Sequence, residues 1–261
     1  MKFNITLNRS TRQKMLPVDY QHYIGAWIYK VIAQADAGFA SFLHSQGYSF
    51  GNKTFKLFCY SPLDFGRAKL WKEKSLFELN AETAQLQVSF YLPDAAERFI
   101  IGLFNNQEVF IGDRFNGIDF TVAQIERLPD PAISETMSYR ARSAVVVSIM
   151  PENGKYAKYL SPEDENYSDL LKNNLLQKAE VIKTSLELPS DFSFKFTLQS
   201  KAKSKLISIK AYTPQESKIR GFIYDFTLTA PPEIHKLVQN TGLGEKNSTG
   251  FGWCEVRPPT S

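Results

Sequence analysis

The chain has 261 residues, 43% hydrophobic and 22% charged, and a formal net charge of +4. That balance predicts a globular protein with a real core, as one large domain or two of ordinary size, and permits a nucleic-acid partner without requiring one. No apolar run approaches membrane-spanning length, the opening residues lack a signal-peptide core, and Cys59 and Cys254 stand far apart without a C-x-x-C or Cys/His cluster, so a cytoplasmic protein with two buried free thiols and no zinc is expected.

Phe3, Ile5 and Leu7 alternate with polar residues and predict an opening strand. Pro17 fits the first turn of a helix running to about Ala35, whose core stripe is Ile24, Trp27, Ile28, Val31 and Ile32. A short helix follows from about Ala37 to Gln46, with Phe39, Phe42 and Leu43 inward and Gly47 as its stop. Strands are expected at Phe55–Tyr60, Ser75–Leu79 and Leu86–Leu92, a helix from Pro93 to about Asn105, and strands at Glu108–Ile111 and Phe115–Glu126. Leu128-Pro129-Asp130-Pro131 has the composition of a linker. The pattern then repeats in outline: a strand at Tyr139–Met150, a helix at about Pro162–Thr184, strands at Phe192–Leu198, Lys205–Tyr212 and Lys218–Thr229, a helix from Pro231-Pro232 to Gly242, and a final strand at Phe251–Val256. This order predicts an α+β protein of two tandem ferredoxin-like (RRM-like) domains, residues 1–128 and 139–261, joined by a linker at 129–138.

Two stretches look suited to RNA. Between Ser193 and Arg220 stand Lys195, Lys201, Lys203, Lys205, Lys210, Lys218 and Arg220 against the single acid Glu216, the composition of a phosphate-binding strip or of a solvated face. Further on, Gly242, Gly244, Gly250 and Gly252 flank Lys246, Asn247, Ser248 and Thr249, donors suited to phosphate and sugar oxygens. A dinucleotide fingerprint needs glycine at position 247, and a P-loop needs Gly-Lys-Ser/Thr in succession; neither is present. On the residues alone, RNA contact and a tight helix-to-strand turn remain equal readings.

Helical geometry singles out two side chains. Tyr29 lies roughly 130° from the centre of the first helix's apolar stripe, outside simple core. His44 occupies a similar flank on the second helix, in a last turn whose exposed carbonyls favour a cation. His22 lies opposite the core stripe; it and His235 are expected at the solvent surface.

With Gly221-Phe222 upstream, the glycine segment resembles the C-terminal loop of the CRISPR repeat-processing endoribonucleases of the RAMP superfamily. The run Tyr20-Gln21-His22-Tyr23-Ile24-Gly25-Ala26-Trp27-Ile28-Tyr29 is similar to their first helix, Phe42-Leu43-His44 to their Phe/Tyr-Leu-His segment, and Phe55–Ser61 to the strand beyond it. The resemblance implies a Tyr/His/Lys triad of Tyr29, His44 and Lys56, with Lys53 a rival for the lysine role. It implies RNA binding by Gly242, Gly244, Lys246, Asn247, Gly250 and Gly252, with the basic stretch of Lys201, Lys203, Lys205, Lys218 and Arg220 alongside. The partner is then CRISPR repeat RNA within a precursor transcript. Effector-complex subunits and a second copy of the chain are further candidate partners.

Such side chains suit metal-independent cleavage, in which the RNA's own 2′-hydroxyl attacks the adjacent phosphate and leaves a 2′,3′-cyclic phosphate and a 5′-hydroxyl. His44 is expected to transfer a proton, chiefly as the acid, Tyr29 to orient or deprotonate the nucleophile, and Lys56 to stabilise developing charge. No carboxylate cluster stands out as a pair of magnesium ligands, and no cofactor is expected. The competing readings are a non-catalytic RNA-binding member of the same superfamily and a general single-strand RNA-binding module.

Overall fold

The computed structural model describes residues 1–151, 156–182, 186, 188–189, 191–211 and 213–257. Its first half is built on a five-stranded antiparallel sheet, in spatial order Phe58–Tyr60, Thr83–Phe90, Lys2–Arg9, Gly117–Leu128, Glu108–Gly112. Phe3, Ile5 and Leu7 are buried as their alternation predicts, and Ile5 pairs with Leu86 on one side and Ile125 on the other. Three helices serve this half: α1 (Gln21–Ala35), α2 (Ala37–Ser45) and α3 (Pro93–Asn105). α1 buries Ile24, Trp27, Ile28, Val31 and Ile32, each such side chain contributing about 1.5–3 kcal/mol. Asp36 fixes the break between α1 and α2. Its carboxylate accepts the Phe39 N–H at 2.8 Å as an N-cap and pairs with Arg98 at 2.9 Å, anchoring α2 to α3.

The second half has a four-stranded antiparallel sheet in the order Lys195–Leu198, Asp225–Thr229, Thr136–Ala141, Cys254–Val256. It carries α4 (Tyr167–Glu180) and α5 (Pro232–Thr241). Tyr139, central in this sheet, pairs with Phe226 and Val256 and stacks on Phe226 at 5.2 Å. Each half buries its own apolar cluster. Among the described residues no helix is long and apolar enough to cross a membrane.

Several boundaries differ from expectation. Pro17 ends a short strand, Met15–Pro17, paired with Leu76–Leu79, and α1 starts at Gln21. α4 begins at Tyr167 rather than Pro162, because Ser161 and Asp164 close a turn (Ser161 N–H to Asp164 Oδ2, 2.8 Å) that the helix cannot absorb; its expected end at Thr184 lies outside the described residues. The expected strand Tyr139–Met150 leaves the sheet at Ala141, and Val145 bridges to Phe222. The expected strand Lys218–Thr229 divides at Tyr224. Ser217–Ile223 forms a hairpin with Lys203–Ile209, while Asp225–Thr229 joins the four-stranded sheet. Two anchors make that corner: Tyr224 meets the Tyr167 hydroxyl at 2.7 Å, and Asp225 receives Arg140 and Arg257 at 2.9 and 2.8 Å. The hairpin's first strand ends at Ile209, and the expected end at Tyr212 falls outside the described residues.

The segment between α2 and the first sheet joins the two cores. The expected strand Phe55–Tyr60 is two short ones, Lys53–Phe55 and Phe58–Tyr60. They are separated by Leu57 at φ 55°, a left-handed conformation that a branched side chain adopts only under constraint. Phe55 and Leu57 pack into the core of the second half, whereas Phe58 and Tyr60 pack into that of the first. The chain crosses from one core to the other at this kink.

Candidate active site

Lys56 stands between Phe55 and Leu57, so its side chain projects away from the core that holds both neighbours. Gly47, at φ 63°, ends α2 beneath it. A Cβ there would lie 2.7 Å from the Phe55 carbonyl oxygen and 2.9 Å from Lys56 Cδ, and only glycine lets the lysine cross the helix end. Lys56 Nζ then donates to the His44 carbonyl oxygen at 2.8 Å, satisfying one of the orphan acceptors of α2's last turn. Partial burial lowers the Lys56 ammonium from its ordinary range.

The exposed His44 ring meets Tyr29 edge-on, with centroids 5.0 Å apart and planes at 83°. Tyr29 is held from behind by Phe58 at 5.5 Å. Burial pushes its phenol up to about 12, a hydrogen bond with Ser248 working in the opposite direction. A phenol so raised stays neutral and acts as a hydrogen-bond donor and acceptor rather than a ready base. The three residues expected to form a triad are thus brought together from α1, the end of α2 and the kinked segment.

Ser248 comes from the other half. The glycine segment folds as a loop around a single 3-10 turn, Asn247–Thr249, and packs this turn against α1. A Cβ on Gly25 would lie 2.6 Å from the Ser248 carbonyl oxygen, and one on Gly250 would lie 2.6 Å from Gln21 Cβ. The Tyr60 hydroxyl donates to the Gln21 carbonyl at 2.9 Å beside the same contact. Between the loop and the Lys53–Phe58 segment opens a cavity of about 290 Å³, bordered by Lys53, Lys56, Gly244, Lys246 and Ser248.

The loop departs from expectation in one respect. Asn247 does not face outward. It is buried, its amide donates to the Leu243 and Phe251 carbonyls at 3.1 Å each, and its oxygen accepts from Lys178 at 2.8 Å. Gly242, Gly244, Gly250 and Gly252 all have positive φ and are buried, so backbone packing alone accounts for the glycine pattern. Lys246 is the exposed cation of the loop, itself at φ 58°.

Sequence reasoning misses Lys178. It is 2% exposed and donates to the carbonyls of Gly242 and Gly244 at 2.8 and 3.1 Å as well as to Asn247. Burial lowers it from 10.5 to about 7, with Cys59, Cys254 and Glu245 working the other way. The available signal is its place on α4: it falls seven residues after Leu171 and three after Leu175, on the stripe that the helix buries.

The basic stretch is not one surface. Lys205 pairs with Gly221 and Leu206 with Arg220, so the pleat sends Lys203 and Lys205 to one face of the hairpin and Lys218 and Arg220 to the other. Arg220 donates to Ser204 at 2.7 Å, and Lys201 precedes the hairpin. All five are exposed. The hairpin tip rests on the start of α1, where Ser208 N–H reaches Asp19 at 3.0 Å and Lys210 N–H reaches His22 Nε2 at 3.4 Å. His22 is therefore half-buried, with Nδ1 on the Asp19 carbonyl at 2.9 Å, and burial lowers its pKa. His235 is likewise not at the surface. It is fully buried between the Tyr139 hydroxyl at 2.8 Å and the Glu135 carbonyl at 3.1 Å.

This two-half α+β chain has known relatives. The chain matches the family described as CRISPR-associated protein Cas6, N-terminal, over residues 15–126, and CRISPR associated protein Cas6, C-terminal, over residues 128–256. It belongs to the Cas6 family. It is 25% identical over 244 residues to CRISPR-associated endoribonuclease Cas6 1 of Methanocaldococcus jannaschii, covering 91% of this chain and 86% of that protein. It is 26% identical over 259 residues to CRISPR-associated endoribonuclease Cas6 of Pyrococcus furiosus, covering 98% and 90%. The solved structure of a Cas6-related gene product from Pyrococcus furiosus superposes with a TM-score of 0.81 at 24% identity, covering 100% of this chain and 99% of the other.

Proposed function

We propose that this chain is a CRISPR repeat-processing endoribonuclease that cleaves precursor transcripts without a metal ion, in the cytoplasm, to release guide RNAs. The observation that carries the reading is the meeting of Tyr29, His44 and Lys56, the last of which also borders the cavity lined by Lys246 and Ser248. A purely RNA-binding member of the family would not need those three side chains together. Both halves are read as ferredoxin-like: apart from α2, the edge strand Glu108–Gly112 and the short strands outside the two main sheets, each half runs β-α-β-β-α-β with its four strands in the order second, third, first, fourth.

In the reaction the bond from the 2′-oxygen to phosphorus forms as the bond from phosphorus to the 5′-oxygen breaks. His44, exposed at the end of α2, gives its proton to the leaving 5′-oxygen. Tyr29, kept neutral by burial, orients the 2′-hydroxyl through its phenol together with Ser248, and the proton that the 2′-oxygen loses as it attacks passes to solvent water. Lys56 offers positive charge to the phosphorane, its ammonium already fixed by one bond to the His44 carbonyl. Lysines at 53, 56 and 246 suit phosphate oxygens and repel a divalent cation, which fits catalysis by side chains alone.

The test is to incubate purified protein with the repeat RNA of the neighbouring array in excess EDTA and to map the ends. One cut per repeat, a cyclic phosphate on the upstream product, and no cut when the scissile nucleotide is 2′-deoxy are expected. A strict magnesium requirement with a 3′-hydroxyl product refutes the mechanism.

A further inference from the structure

The cavity beside Lys56 has a floor that cleavage does not use. Asn174, on α4 one turn before Lys178, borders it. It is 5% exposed, and its Oδ1 has no hydrogen-bond partner. An unmatched buried carbonyl oxygen costs on the order of 1–3 kcal/mol, a burden that a bound donor would remove. The cavity's 290 Å³ lies at the lower edge of the roughly 300–1,000 Å³ usual for ligand pockets.

The chemistry of the walls narrows the occupant. Lys53 and Lys246 stand exposed at the rim, while Phe55 and Leu57 offer apolar wall. The nearby acid, Glu245, is engaged by the Ser148 hydroxyl at 2.8 Å. Lys178 already donates to three loop acceptors. A phosphate could sit at the rim but not at the floor, where it would set anionic oxygen against the Asn174 carbonyl. A nucleobase fits both ends: every base carries an N–H on its Watson–Crick edge, and its own phosphates lie within the same nucleotide.

We infer that this cavity receives one unpaired base of the repeat RNA, whose Watson–Crick N–H donates to Asn174 Oδ1 while its flanking phosphates lie against Lys53 and Lys246. The subsite rests on the nuclease reading and adds to it a specificity-determining residue supplied by the half opposite Tyr29 and His44. Seating this base would hold the neighbouring phosphate at Lys56, so the loop's packing against α1 and the docking of RNA would register on the same wall.

The experiment is an abasic scan. A 2′-deoxy-blocked repeat RNA is prepared with a single base removed at each position in turn, and dissociation constants are measured for the wild type and for Asn174→Leu. One position should weaken wild-type binding by about five- to a hundredfold, the scale of one good amino-acid–base contact. Asn174→Leu should bind intact RNA with a similar loss and be insensitive to base removal at that position alone. Independently of any variant, replacing every Watson–Crick N–H hydrogen of that base by methyl (both amino hydrogens where the base is adenine or cytosine) should reproduce the loss on the wild-type protein. The inference fails if no single position is sensitive, if the methylated base binds as well as its parent, or if Asn174→Leu keeps the wild-type profile. Cleavage of unmodified repeat RNA by the same preparation reports on the parent reading separately: cutting with a flat profile removes only the subsite, and uncut RNA removes the nuclease assignment.

Discussion

Replacing Lys178 by methionine separates the stability of the glycine loop from its geometry. The substitution leaves the Gly244 carbonyl and Asn247 Oδ1 unmatched, while the Gly242 carbonyl keeps a 3.4 Å contact with the Thr241 hydroxyl. At about 1–3 kcal/mol for each stranded acceptor, the loss is roughly 2–6 kcal/mol. Against it stands the burden of burying the charge. A depression from 10.5 to about 7 corresponds to roughly 5 kcal/mol at about 1.4 kcal/mol per unit, and methionine fills the space without that burden. At about pH 6, where the folded lysine is protonated, the two effects nearly cancel and the variant should unfold close to wild type. Above pH 7 they diverge. The folded lysine releases its proton near 7 and the unfolded one near 10.5, so through that window the unfolded chain binds more protons and stability rises with pH. Between about pH 7 and pH 10 the wild type should gain roughly 4 kcal/mol over Lys178→Met, read from urea titrations at about pH 6, 8 and 10. A difference between the two proteins that stays constant across the window would refute a desolvated ammonium at this site.

The same geometry sets further outcomes. His44→Ala should slow cleavage by about 10²–10⁴-fold with RNA binding largely kept, and Tyr29→Phe should be impaired as well; wild-type rates in single-turnover assays would move the chemistry elsewhere. Lys56→Ala should slow cleavage more than Lys53→Ala, since Lys56 is fixed beside His44 and Lys53 is exposed at the rim; the opposite order reassigns the lysine. Lys246→Ala should keep its melting temperature, bind the deoxy-blocked RNA more weakly, and flatten the log–log salt slope by roughly 0.7 to 1. Asn247→Ala should do the reverse, lowering the melting temperature because the amide ties Leu243, Phe251 and Lys178 together; a stable variant with only a binding defect contradicts the buried placement.

The helix periodicities were legible because burial follows them closely. Tyr29 falls outside the stripe of Ile24, Ile28 and Val31, and it sits half-buried at the edge of the core, where it meets His44. α3 was legible to both ends, since Pro93 starts it and the apolar pattern stops at Asn105. Less was readable where one short segment serves two cores. Nothing local in Phe55-Lys56-Leu57-Phe58 announces that Leu57 turns left-handed, because the constraint comes from partners far away in sequence. Residue type misleads at Asn247 and Lys178. Polar side chains in a glycine-rich or helical context look solvent-facing, yet these two satisfy each other and the loop's carbonyls in the interior. The basic strip shows the opposite error: clustering in sequence suggests clustering in space, which the pleat of a hairpin undoes.

The contact of α1 with the Asn247–Thr249 turn has a consequence for how this nuclease can be altered. At the seam between its halves a Cβ on Gly25 would meet the Ser248 main chain and the Tyr60 hydroxyl, and one on Gly250 would meet Gln21 Cβ, so neither glycine has room for a side chain. The seam itself cannot be widened by trimming a side chain at Ser248, because what faces Gly25 there is the Ser248 carbonyl. Any new substrate must be accommodated at the rim, by Lys53, Lys246 or the floor at Asn174, while the aperture itself stays constant. By the same logic, exchanging one half for that of a relative preserves the alignment of Tyr29, His44 and Lys56 with the loop only where glycine is kept on both sides of the seam.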